Sequence, residues 1–174
     1  MKCWPVNIVD HSPSVEAADV GTQSLERSQT PTMKYEFASR AWFAALHAIL
    51  SERAAAAAKT EPDLRLSTCE VFTNPPNHLL APGERQLAWH CRIRGSAVEF
   101  ALTEVDDAET KIIGDYTTLV PLARYVTHGD AAREVELEGL LKQAVAAGKI
   151  NVVRRSTRPS PLGSVHDAIC MLTA

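Results

Sequence analysis

Along residues 86–94, QLAWHCRIR, the apolar Leu87, Trp89, Cys91 and Ile93 alternate with Gln86, His90, Arg92 and Arg94. After Gly95-Ser96 the segment AVEFALTEV alternates again through Val98, Phe100 and Leu102. A period of two puts one set of side chains on a buried sheet face and the other on a wetter one. Gly at the first turn position suits a type II′ hairpin. The pattern predicts two paired strands, 86–94 and 97–105. Asp106-Asp107 then reads as a turn and 109–114 as a strand. A helix follows from 116 to about 125, capped by Asp115, with Pro121 inside it expected to kink or split it. His128-Gly129-Asp130 makes a break before a second helix over 131–147. On that helix Val135, Leu140, Leu141, Ala144 and Val145 are predicted to share a face, with Glu138 and Lys142 in the favourable i,i+4 order on another. Gly148 ends it, and a strand over 149–154 returns to the sheet. This order implies a curved sheet backed by helices, a shape able to hold a greasy ligand.

Upstream, Ser39 is positioned to cap a helix running to about residue 58, with Trp42, Leu46, Ile49 and Leu50 as its apolar stripe. Pro62 stops it, and 64–72 reads as a strand. Its alternation is imperfect, because Glu70 falls in register with Leu64, Leu66 and Phe72. Residues 74–85 form a long loop with three prolines, the kind that often serves as a lid or rim. A further Pro-containing loop over 158–163 leads to a terminal helix over 164–172. Residues 1–32 are rich in Ser, Thr and acidic residues with little apolar periodicity, and are expected to be a flexible leader. Residues 33–174 are expected to form a single domain.

Composition narrows the class. A chain of 174 residues that is 45% hydrophobic has enough apolar material for one real core. A formal net charge of −3 argues against a dedicated nucleic-acid binder. The four cysteines (Cys3, Cys69, Cys91 and Cys170) are widely spaced without a CxxC pair, which fits a reduced, cytoplasmic protein. The longest nearly apolar stretch, 41–50, contains His47 and is far short of the roughly 20 residues that span a bilayer.

Candidate chemistry is sparse. His90 falls on the polar phase of its strand and reads as a surface or rim histidine, with no evident acid partner for work as a base. His47 and His78 lack an HxxxH or HxH companion, so no zinc site is expected. Asp106-Asp107 is a carboxylate pair, but Asp is also a default turn residue. Arg154, Arg155 and Arg158 form the most basic run and read first as a solvated strand end, with transient contact with a phosphate, a fatty-acid carboxylate or an anionic membrane surface as the functional alternative.

The segments EFASRAWFAALHAIL (36–50), WHCRIRGSAVEF (89–100), TKIIGDYTTLVPLA (110–123) and AAGKINVVRRS (146–156), in this order before a last apolar helix, resemble the sterol-carrier-protein family and specifically its bacterial members. The resemblance covers about residues 34–172. It implies an α/β (α+β) fold with a five-stranded, mostly antiparallel sheet covered by helices and an internal hydrophobic cavity or tunnel. It also implies a fatty acyl chain, sterol-like molecule or other lipid as the partner, with no metal and usually no chemistry; no cofactor is expected. The loop 74–85 and the prolines at 159 and 161 depart from the family pattern where the tunnel would open.

On this reading the ligand-lining residues are Trp89, Phe100 and Leu102 from the hairpin, Leu119 and Leu122 from the Pro-containing helix, and Leu141 and Val145 from the next. Periodicity alone fits a plain packed core equally well; the resemblance favours a cavity. Two other readings stand beside the lipid carrier. One is a small enzyme resembling the cone-shaped polyketide cyclases and ketosteroid isomerases, with His90 or Asp106 as base, although two helices before the last strand disfavour that order of elements. The other is an accessory subunit that docks a partner enzyme through a sheet edge or apolar patch.

Overall fold

A computed structural model describes residues 33–155, 162 and 165–174. The expectations for residues 1–32, Cys3, Arg158 and most of the loop 158–163 therefore lie outside the described residues. Among the described residues the fold is mixed α+β, with five strands and four α-helices.

Helix α1 (Arg40–Ala57) begins where expected: Ser39 is extended and its hydroxyl accepts from Trp42 N–H at 3.2 Å. The stripe Trp42, Leu46 and Leu50 is buried, together with Phe43 and Ala54. Strand β1 (Arg65–Thr73) follows and becomes the centre of the sheet. The long loop after it holds one 3-10 turn, Asn77–Leu79. Strands β2 (Gln86–Arg94) and β3 (Ala97–Ala101) pair antiparallel through the tight turn at Gly95-Ser96. Gly95 has φ +57° and Ser96 does not share that sign, as a type II′ turn requires. A Cβ at Gly95 would also sit 2.9 Å from the Pro62 carbonyl oxygen, so this corner accepts only glycine.

Strand β3 stops at Ala101, four residues short of the sequence expectation. From there the chain leaves the ladder and crosses the sheet face that the helices do not cover. Its polar groups are taken up by side chains of that face: the Thr103 carbonyl meets His90 Nδ1 at 2.9 Å, and Val105 N–H donates to Cys69 Sγ at 3.5 Å. Lys111 Nζ reaches both Glu104 and Asp106 at 2.6 Å.

Strand β4 (Thr110–Asp115) pairs parallel with β1, and β5 (Ile150–Arg154) pairs antiparallel with β4. The order is β3-β2-β1-β4-β5, with three of its four pairings antiparallel. Helix α2 (Tyr116–Ala123) is shorter than expected. It is not split at Pro121 but runs two residues past it and stops. Helix α3 (Ala131–Ala146) carries the expected Glu138–Lys142 pair at 2.8 Å. Its predicted apolar face is not buried: Val135, Leu140 and Val145 are exposed, and no residue of the helix is buried. The cause is that α3 rests mainly on α2 and β5, at the edge of the helical layer.

Helix α4 (Val165–Cys170) gives way to a tail that pairs with the start of the described chain. Tyr35 N–H donates to the Leu172 carbonyl and Ala174 N–H to the Tyr35 carbonyl, both at 2.7 Å. Trp42 Nε1–H adds a buried bond to Thr173 Oγ1 at 2.9 Å.

Asp115 joins β4 to α2. Hydrogen bonds from Thr117 first, then from Asn74 and Thr118, hold its carboxyl down at about 2, against an ordinary 3.8. A lowered folded-state value means the stabilisation is present above pH ~4 and is lost as pH falls toward 2. Asp115→Ala is expected to cost ~1 kcal/mol at neutral pH, as loss of an N-cap does, with the gap to the parent closing in acid melts.

Candidate functional site

The two faces of the sheet differ in what covers them. On one, Cys69, Val71 and Ala108 make a small cluster under the loop after β3. On the other, α1, α2 and α4 pack over Phe72, Trp89 and Ile93 to form the main core. This second face carries a partly open pocket of about 510 Å³. Its floor is Thr68, Glu70 and Phe72 of β1, Trp89 of β2 and Ile112 of β4. Leu119, Leu122 and Ala123 of α2 line it, as do Val165, His166, Ile169 and Cys170 of α4, with Phe37, Trp42 and Leu46 at the α1 end. Leu137 and Leu141 of α3 face it, with Glu134 and Glu138 on the same side. Both glutamates are exposed, so the pocket meets solvent along α3. Such a volume, walled by large aliphatic and aromatic side chains with few polar groups, is in the usual range for small-molecule sites.

Trp89, Leu119, Leu122 and Leu141, four of the residues expected from the sequence, line this pocket. Phe100 does not; it stacks behind Trp89, with centroids 5.5 Å apart, and against His47 at 5.0 Å. Leu102 and Val145 also stand outside it, at 53% and 42% exposure. Leu102 lies beyond the end of β3, and Val145 sits on the last turn of α3, past the part that covers the pocket. No residue of the loop 74–85 lines the pocket, so that loop is not its rim.

Sequence reasoning passed over Glu70. The cross-strand pairing sets it opposite Trp89, and both side chains point into the pocket. Trp89 Nε1–H donates to Glu70 Oε2 at 3.1 Å. Burial pushes the Glu70 carboxyl up to about 7 from 4.5, and the indole N–H only partly offsets this. The residue is half-buried and lines the pocket. The signal was in the sequence: a glutamate in the apolar phase of a strand.

A second pair on the wall, Cys170 and His166, places Sγ 3.4 Å from the imidazole Nε2. Burial raises the Cys170 thiol to about 12, so it stays protonated and weakly nucleophilic at neutral pH. The same Nε2 lies 2.9 Å from the Tyr125 carbonyl oxygen.

The remaining candidates lie off the pocket. His90 is buried rather than at a rim, because the loop after β3 covers it. Asp106 is spent on Lys111 and Asp107 on Arg92, at 2.7 Å. His78 pairs with Glu36 at 2.7 Å. Arg155 points back to the Ala108 carbonyl, while Arg154 is exposed. Among the described residues no group of three or more His, Cys, Asp or Glu is placed to hold a metal ion, and no helix is long and apolar enough to cross a membrane.

No protein-family model matches the chain, and no curated protein matches it. Solved structures do. One is the conserved hypothetical protein TT1886 from Thermus thermophilus, described as a candidate sterol carrier protein. It shares 15% identity with a TM-score of 0.43, over 80% of this chain and 89% of that one. Another is a sterol carrier protein 2, at 15% identity and TM-score 0.41 over 79% and 96% of the two chains. A third is a ubiquinone-synthesis protein, UbiJ-SCP2, at 12% and 0.38 over 73% and 89%. Each of the three is described with the words sterol carrier protein or SCP2.

Proposed function

We propose that the protein binds a hydrophobic small molecule or lipid, such as a fatty acyl chain or a sterol-like ring system, in the pocket between the sheet and the helices, and carries it without transforming it. The observation that supports this is the pocket itself, with leucines, aromatic rings and one isoleucine on the sheet floor among its walls. Affinity would come from apolar area removed from water, at about 25 cal/mol per Å². Trp89, Leu119, Leu122 and Leu141 are the proposed contacts, while Phe100 acts by supporting Trp89 from behind.

The test is displacement of a neutral apolar fluorophore, N-phenyl-1-naphthylamine, from the full chain. Leu141→Trp fills the pocket from α3, where the half-exposed position gives the larger ring room to seat without disturbing the sheet. It is expected to weaken binding by about tenfold or more, or ~1.4 kcal/mol and above. His90→Ala, on the opposite face of the sheet, is expected to leave binding unchanged at equal folded fraction. Equal binding by the Leu141→Trp variant and the parent would overturn the assignment.

A further inference from the structure

We propose that Glu70 selects the ligand, favouring apolar molecules that carry a hydroxyl at the buried end over those that carry a carboxylate. This rests on the hydrophobic-ligand reading and names the polar group that the pocket recognises. On the floor, Glu70 and Thr68 stand two residues apart on β1, between apolar side chains from β2, β4 and the helices. Trp89 holds Glu70 Oε2, and among the described residues no side chain or backbone group bonds to Oε1. The other polar groups of the wall are engaged or peripheral. His166 meets the Tyr125 carbonyl, the Cys170 thiol meets the Leu122 carbonyl at 3.8 Å, and Glu134 and Glu138 stand at the solvent edge. Glu70 Oε1 is thus open to the pocket, with no cation facing it among the described residues, and a ligand hydroxyl there would complete its hydrogen bonding.

The chemistry then discriminates among ligand heads. An ionised carboxyl only accepts hydrogen bonds, and a protonated one also donates. A ketone or ester would be matched only by the protonated form and an ammonium only by the ionised form, while a carboxylate would be repelled by the ionised form. A hydroxyl donates and accepts, so it pairs with Glu70 in both states. This group sits near half-ionisation around neutral pH, so both states are present.

The experiment measures displacement of N-phenyl-1-naphthylamine at pH 8 by 1-dodecanol, its methyl ether and dodecanoate, which share one apolar chain. The parent is expected to bind dodecanol about tenfold tighter than either, in line with a hydrogen bond to a charged group in an apolar site. Glu70→Gln keeps an acceptor for Trp89 but removes the charge, and is expected to bring dodecanoate within about threefold of dodecanol. Glu70→Leu should bind dodecanol and the ether equally, and it carries the test if the glutamine variant folds poorly. Equal affinities in the parent, a preference for dodecanoate, or a preference that survives both substitutions would overturn the proposal while leaving the carrier reading intact. Failure of the fluorophore itself to bind would overturn the carrier reading, and this proposal with it.

Discussion

Glu70→Leu is expected to make the protein more heat-stable at pH 8 than the parent, with the advantage largely gone at pH 5. Burial raises the carboxyl from 4.5 to about 7, so the folded state holds a proton that the unfolded chain has released between those values. Stability due to this group is therefore full below pH ~4.5, declines as pH rises through ~7, and then levels off. A shift of that size corresponds to roughly 3 kcal/mol between the two ends of the window. At ~2–4 °C per kcal/mol for a chain of this length, the variant's gain in Tm should be ~6–12 °C larger at pH 8 than at pH 5. Leucine leaves the Trp89 N–H without its acceptor, which lowers both values together and drops out of the difference. The other titratable groups around the pocket are Cys91 on β2, Glu134 and Glu138 on α3, and His166 and Cys170 on α4. They are common to both proteins and cancel likewise. Parallel Tm-against-pH curves for parent and variant would show that Glu70 is not desolvated.

Trp42→Ala is expected to be the most damaging single change in the helical layer. Trp42 is buried, meets Phe37 and Phe43 edge-on at 5.0 and 5.3 Å, and donates its indole N–H to Thr173. Truncating a large core aromatic costs about 3–5 kcal/mol, and this one also removes the bond to Thr173 that ties the C-terminal tail to α1, leaving that hydroxyl only its own donation to the Ile169 carbonyl. Chemical denaturation should show the loss, with Trp42→Phe recovering most of the packing but not the bond to Thr173. A loss below about 1 kcal/mol for Trp42→Ala would mean that the tail and α1 are not docked as described.

Elements held by local rules could be read from the sequence. Ser39, Asp115 and Gly148 mark helix ends through capping and backbone geometry within a few residues. The hairpin is set by two alternating runs and a glycine whose φ is +57°. What escaped depends on distant partners. The early end of β3 follows from His90, Cys69 and Lys111 drawing the chain across the open sheet face. The apolar residues on α3 suggested a buried face, but among the described residues no neighbour buries Val135, Leu140 or Val145, since α3 lies at the margin of the layer. The pocket wall was half legible. Trp89, Leu119, Leu122 and Leu141 follow from facing the helical side, whereas Leu102 and Val145 share that phase but lie beyond the pocket's ends. Glu70 broke the strand pattern visibly, yet its role depends on Trp89 being its cross-strand neighbour, a register that β1 alone does not reveal.

The most direct measurement is isotope-filtered NMR of the full chain with uniformly ¹³C-labelled 1-dodecanol, reading which protein protons lie against the ligand's methylenes. Contacts to the methyl groups of Leu119, Leu122, Leu141 and Ile112 and to the Trp89 ring are the expected result. Contacts confined to exposed Leu102, Val145 or Val153, or none at all at saturating ligand, would contradict binding in this pocket.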